Sequence, residues 1–126
     1  MADAVEYMGS FHAGDTAVCQ FPIVDGDTGI AFKPTDLYVE LFDEETGSTI
    51  NGRDGVSNII ASYSDASQKV IFQLAVADVA LVNTKITKII EKHRLVFRWT
   101  WSAGAKVGSR VFNFEVRDRR AASDTP

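Results

Sequence analysis

The stretch HRLVFRWTW, at residues 93–101, decides the fold class of this chain. Its large, mostly apolar side chains occupy alternate positions: His93, Leu95, Phe97, Trp99 and Trp101. Alternation with a period of two is typical of a β-strand with one buried face. A small-residue turn at 103–106 follows, and the segment 107–116 then alternates in the same way. The two segments therefore predict a terminal β-hairpin.

The same alternation recurs upstream. It predicts strands at 16–21, 37–41 and 70–76, with shorter strands at 30–32 and 58–63. Residues that favour tight turns or positive φ separate them, at 25–29, 33–36, 43–47 and 51–55. A weakly helical stretch at 75–82, with Asp78 as its expected cap, predicts one short helical turn. About seven short strands divided by turns favour an antiparallel, all-β sandwich over alternating strands and helices.

Length and composition fit a single folded domain. The chain has 126 residues, of which 45% are hydrophobic and 24% charged, close to the globular average. We expect an N-terminal arm at 1–14, a sandwich domain at 15–118 and a polar C-terminal tail at 119–126. The single cysteine, Cys19, lies in an alternating apolar stretch, so it is expected to be buried and unpaired, as in a reducing cytosol.

The charge excludes some partner classes. A net charge of -4 and a pI near 5.1 argue against a protein that neutralises nucleic-acid phosphates. No apolar run approaches the roughly 18 to 20 residues of a membrane span, and the acidic N-terminus lacks the pattern of a secretory signal. The sequence therefore predicts a soluble protein made in the cytoplasm, without nucleic-acid or membrane partners.

The strongest enzyme alternative is a dimeric aspartic protease. Asp27-Thr28-Gly29 is the tripeptide with which each subunit of such enzymes presents one carboxylate, and residues 50–54 partly match their second motif. In this chain Asp25-Gly26 separates the tripeptide from the preceding apolar strand, and the second motif follows too closely. Because Asp-Thr-Gly is also an ordinary turn sequence, we favour a turn.

The sequence predicts no metal site, no cofactor and no catalytic residue. Asp25 and Asp27 could supply half of a calcium loop, but the further carboxylates that such a loop needs are missing. His12 and His93 belong to no spaced ligand cluster, and His93 is expected to be a half-buried, hydrogen-bonded strand residue. No nucleophile motif or phosphate-binding loop occurs.

A carbohydrate-binding module is the third alternative. It would require Trp99 and Trp101 to form an exposed platform, yet both share a strand face with Phe97. The simpler interpretation places the two tryptophans in the core.

Several segments together carry a resemblance to a known family. In chain order they are LYVELFD (37–43), EETG (44–47), INGRDG (50–55), VIFQL (70–74), ADV (77–79), EKHRLVFRWT (91–100) and VFNFEV (111–116). This series resembles small immunoglobulin-like virion structural proteins of tailed bacteriophages, over residues 15–118. The resemblance implies an immunoglobulin-like sandwich and a structural role, and it carries over no catalytic residue.

For a single domain without a fibre-forming segment, the resemblance implies a protein that decorates or cements the capsid; the alternative is a neck, tail or baseplate component. The implied partners are the major capsid protein and further copies of this chain, within a virion assembled in a bacterial host. Exposure and charge then predict which residues contact these partners: Asn51, Arg53, Asp54, Arg94, Arg98, Arg117, Arg119 and Arg120.

Overall fold

A computed structural model describes residues 5–25, 28–81, 90–101 and 106–117 of the chain. It confirms the predicted all-β sandwich: two sheets pack face to face, with five strands in one and three in the other. The strands are β1 (Val5–His12), β2 (Ala17–Phe21), β3 (Asp36–Asp43), β4 (Thr49–Asn58), β5 (Tyr63–Ser64), β6 (Lys69–Leu74), β7 (Ile90–Trp101) and β8 (Lys106–Arg117). Two single 3₁₀ turns lie at Ile60–Ser62 and Val76–Val79.

The strand order is that of an immunoglobulin-like sandwich. The larger sheet runs β1-β8-β7-β3-β4 and the smaller runs β2-β6-β5. The separation of β3, β7 and β8 from β2, β5 and β6 matches that of strands C, F and G from strands B, D and E in immunoglobulin domains, whereas β1 lies beside β8 rather than beside β2. Pairing is antiparallel except between β1 and β8, which run parallel. The larger sheet is therefore mixed, where alternation alone predicts an antiparallel sheet throughout.

The core lies between the sheets and is centred on Phe97 of β7. The predicted hairpin of β7 and β8 is present, with Leu95 opposite Phe112 and Phe97 opposite Arg110. The Phe97 ring lies 4.9 Å from the ring of Phe21 in β2 and 5.5 Å from that of Phe72 in β6, measured between centroids. Edge-on aromatic contacts thus join the two sheets.

The segment assigned to an N-terminal arm contains a strand. Residues 5–12 form β1 at the edge of the larger sheet, in register with β8. Arg110 of β8 donates hydrogen bonds through Nε and Nη2 to the carboxylate of Glu6, the second at 2.9 Å. Polar and apolar residues do not alternate regularly in the segment VEYMGSFH, so the sequence pattern did not predict this strand. In the structure, a register shift interrupts its pairing with β8 between Tyr7 and Ser10.

Two of the predicted short strands are wrong. Residues 30–32 contribute only one isolated bridge, between Val24 and Ala31. The segment 58–63 instead contains the end of β4, the 3₁₀ turn Ile60–Ser62 and the start of β5.

The turn predicted at 51–55 lies within β4, so that prediction is also wrong. Asn51, Gly52 and Gly55 do adopt positive φ, at 54°, 66° and 80°. These conformations do not reverse the direction of the chain. They lie in a strand whose register with β3 shifts twice.

The helical stretch predicted at 75–82 is a single 3₁₀ turn, Val76–Val79, and residues 82–89 lie outside the described part of the chain. Asp78 is not the residue that begins this turn. Its carboxylate instead reaches back to accept the N–H of Ala75 at 2.7 Å.

Cys19 is 3% exposed, as predicted, and burial raises the pKa of its thiol to about 12. Since the thiolate is the reactive form, we expect iodoacetamide at about pH 8 to alkylate the folded protein at least ~100-fold more slowly than the urea-unfolded chain. Mass spectrometry of timed samples measures both rates. Equal rates in the two states would contradict the buried position.

Candidate functional site

One face of the larger sheet combines apolar and charged side chains. We call it the outer face, because it points away from the core; its residues are Tyr38, Glu40, Phe42, Arg94, Val96, Arg98 and Val111. They alternate along β3, β7 and β8 with the buried core positions. The same two-residue period that fills the core therefore creates this second surface.

The centre of the outer face is apolar. Val111 pairs with Val96 on one side and with Val5 on the other, so three valines form a row across β7, β8 and β1. Val5 is 42% exposed, and the other two are half-buried. Tyr38 and Phe42 of β3 lie opposite Arg98 and Arg94. Aromatic residues and arginine around an aliphatic centre are typical of protein–protein interfaces.

The two outer-face arginines differ in their partners. Arg94 donates through Nη2 to Oε1 of Glu44 at 2.7 Å, which neutralises its charge within the chain. Arg98 is exposed, and it forms no ion pair within the described segments. A Cβ at Gly55 would lie 3.0 Å from its Nη2, so the guanidinium extends across β4. Arg98 thus offers an unneutralised cation to a partner.

The predicted interface residues fall into separate groups. Arg94 and Arg98 lie on the outer face, and the exposed Asp54 of β4 is the register partner of Glu40 on it. Arg117 ends β8 with a guanidinium nitrogen 3.5 Å from a carboxylate oxygen of Glu115. Arg119 and Arg120 lie outside the described residues.

Asn51 and Arg53 are engaged within the chain. Asn51 Nδ2 donates to Oδ1 of Asp78 at 2.9 Å, and Arg53 donates to the same carboxylate through Nε and through Nη2, the latter at 2.8 Å. Asp78 is 0% exposed, and the Arg53 guanidinium also lies 4.7 Å from the centre of the Phe72 ring. We call Asn51, Arg53 and Asp78 the clamp, because they connect β4 of one sheet to the turn that follows β6 of the other.

The clamp controls the ionisation of Asp78. Burial by itself would raise the pKa of this carboxyl, but hydrogen bonds from Arg53, Asn51 and the Ala75 N–H outweigh it and hold the pKa below its ordinary value. Asp78 is therefore a charged, fully bonded group in the protein interior. Its role is to stabilise the fold.

The structure describes the residues of the carbohydrate alternative, but only part of the tripeptide of the protease alternative. Trp99 is 8% exposed, with its indole against Gly108, and the Trp101 ring packs 5.0 Å from that of Phe32. Their placement agrees with the core interpretation. Asp27 lies outside the described residues, and Gly29, two residues further on, donates its N–H to the Asp25 carbonyl at 2.7 Å.

Sequence reasoning missed the apolar centre of the outer face. Tyr38 and Val96 occupy the outward positions of their strands, where alternation predicts solvated residues. Large apolar residues recur at these outward positions, at Tyr38, Phe42, Val96 and Val111, and this recurrence could have predicted an apolar surface.

Among the described residues, no helix has the length and apolar character needed to cross a membrane. We also compared the chain with protein-family models, with curated proteins and with solved structures. None of the three comparisons finds a match.

Proposed function

We propose that this chain is a non-enzymatic structural protein of a bacteriophage virion, which binds neighbouring virion subunits and decorates or cements the capsid. The observation that supports the proposal best is the outer face, where a row of valines lies between Tyr38, Phe42 and two arginines. Such a composition suits contact with another protein. The family resemblance of residues 15–118 supplies the identity of the partner, the capsid surface.

The geometry of the outer face defines what the partner must offer. Val96 and Val111 need an apolar surface of similar size, because their burial contributes the hydrophobic part of the binding free energy. Arg98 needs a carboxylate, since a desolvated guanidinium without a partner opposes binding. The partner surface is therefore apolar with at least one acidic side chain beside it.

The sandwich is suited to repeated binding. Aromatic contacts between the sheets and the clamp hold the two sheets together. Binding through the outer face therefore costs little conformational entropy. A capsid presents the same contact many times, and modest contacts acting together can hold a shell tightly. Neck, tail and baseplate assemblies are also symmetric and provide the alternative location.

The test of this proposal is co-sedimentation of the purified protein with heads of tailed bacteriophages, with a Val96→Lys variant beside it. Lysine at 96 would lie opposite Glu40, which preserves the sheet but places a charge in the apolar centre. We expect the substitution to weaken binding to shells at least ~10-fold, because the ammonium group of the lysine would lose its hydration at an apolar contact. The matched control is Ile71→Lys, on the exposed face of β6, which is expected to bind normally.

Unaltered binding by Val96→Lys would exclude the outer face as the contact. Absence of wild-type binding to heads, necks, tails and baseplates would overturn the virion proposal. Binding to tails or baseplates alone would support the alternative proposal, a tail or baseplate component.

A further inference from the structure

Three titratable side chains are buried together at one end of the core. Asp43 ends β3, and Glu91 and His93 lie two residues apart on the inner face of β7. Their exposed fractions are 2%, 1% and 0%, and Asp43 is the register partner of His93. One potential ligand atom from each lies within 4.8 Å of the others. We call these residues the buried cluster.

The hydrogen bonds of the buried cluster are incomplete. Asp43 accepts the N–H and the Oγ1 hydroxyl of Thr46 through Oδ2, at 3.1 and 2.8 Å, whereas its Oδ1 has no partner in the described part of the chain. His93 Nε2 lies 2.9 Å from Oε1 of Glu91, and its Nδ1 is likewise without a partner there. A buried polar atom without a partner is costly and needs an explanation.

The carboxylate of Asp43 also lacks a counter-ion within the described part of the chain. No lysine or arginine in the described segments forms an ion pair with Asp43, and Arg94 of β7 turns to Glu44 on the outer face. A cation between Asp43 and His93 would supply a counter-charge for Asp43 and a partner for its Oδ1 and for Nδ1 of His93.

We propose that Asp43, Glu91 and His93 form a binding site for a divalent transition-metal cation of the Zn²⁺ type. The ligand chemistry selects the class of ion: one imidazole nitrogen with two carboxylate oxygens suits Zn²⁺ and its neighbours, whereas Ca²⁺ and Mg²⁺ prefer oxygen alone. Ligand atoms about 2.0–2.2 Å from one ion lie roughly 3–3.5 Å apart, and the potential ligand atoms of the buried cluster are already close to this spacing. Small side-chain movements would bring the ligand atoms, which lie within 4.8 Å of one another, to the distances that a bound ion requires.

The proposed site is structural. The ion would join the end of β3 to β7 below the turn 43–47, and Thr46 already orients the Asp43 carboxylate as an outer-shell partner. A water or another donor would complete the coordination. The proposal does not depend on the virion function, since it concerns stability rather than partner binding.

The test uses the untagged chain, freed of metal by a chelator and then measured with and without Zn²⁺, both as folded protein and after refolding from urea. We expect one zinc ion per chain by elemental analysis and a rise in Tm of roughly 5–10 °C at zinc concentrations near 100 times Kd. His93→Gln and Glu91→Gln are expected to weaken zinc binding at least ~10-fold. His12→Gln, which removes the exposed histidine, is the matched control and should bind as the wild type does.

A further variant separates loss of zinc binding from loss of folding. Asp43→Asn keeps the size of the side chain and removes one buried charge, so we expect it to fold and to lose the zinc-dependent rise in Tm. Cobalt(II) gives an independent readout: its visible absorption in the wild type should lose intensity in Asp43→Asn. The proposal is overturned if zinc neither binds nor shifts Tm in both preparations. It is equally overturned if zinc binding survives in all three cluster variants, or if Asp43→Asn raises Tm while zinc has no effect on the wild type, because a proton would then compensate the cluster.

Discussion

Replacing Phe97 by alanine is expected to lower the free energy of unfolding by about 3–5 kcal/mol. The side chain is 0% exposed and contacts the rings of Phe21 and Phe72 in the smaller sheet and of Phe112 in the larger one. Its removal leaves a cavity between the sheets that the surrounding rings cannot fill, because they are held by their own strands. Urea unfolding monitored by tryptophan fluorescence measures the change.

Phe42→Ala is the matched control. This phenylalanine lies on the neighbouring strand but on the outer face, where it is only half-buried. We expect a change within about 1 kcal/mol in the isolated protein, together with weaker binding to virion shells. Similar losses of stability at both positions would contradict the assignment of one face to the core and the other to a partner.

Asp78→Ala is expected to lower the free energy of unfolding by about 3 kcal/mol. The substitution removes the acceptor for Arg53, for Asn51 and for the Ala75 N–H, and it leaves the partly buried guanidinium without its counter-ion. The same urea measurement applies. Asp65→Ala is the control, since that exposed carboxylate forms a surface ion pair with Lys33 at 3.5 Å and its removal should change stability little.

The effect of Asp78 also has a defined pH dependence. The pKa of its carboxyl is lower in the folded than in the unfolded chain, so its stabilising contribution is complete above the unfolded pKa of about 4. As the pH falls further, through the folded pKa, the contribution is lost. The difference in stability between wild type and Asp78→Ala should therefore be constant near neutral pH and shrink below about pH 4. A difference that stays the same at about pH 3 would show that the ionised carboxylate is not its cause.

The arginines show how far the site could be predicted. Arg53 and Arg98 look alike in the sequence, as charged residues among turn-forming or outward positions. In the structure Arg53 is held by a buried aspartate 25 residues further along the chain, whereas Arg98 stays exposed and unpaired within the described segments. Whether an arginine is available to a partner depends on such distant neighbours, which spacing along the chain does not contain.

The glycines and asparagine of β4 show a limit of a different kind. Their preference for positive φ was predicted correctly, but positive φ serves both a chain reversal and an irregularity within a strand. The pairing with β3 decides between these outcomes. A local conformational preference is therefore not sufficient to place a turn.

The sequence by itself determined that the chain forms two-faced strands with an aromatic core, because the alternation of a strand is a property of its own backbone and repeats every two residues. It also determined the burial of Cys19, Phe97 and Trp99. Only the tertiary structure decided the parallel pairing of β1 with β8, the meeting of Asp78 with Arg53, and the convergence of Asp43 on His93. These contacts join residues that are distant in the chain, and they follow from the order in which the strands assemble into sheets, which local alternation does not specify.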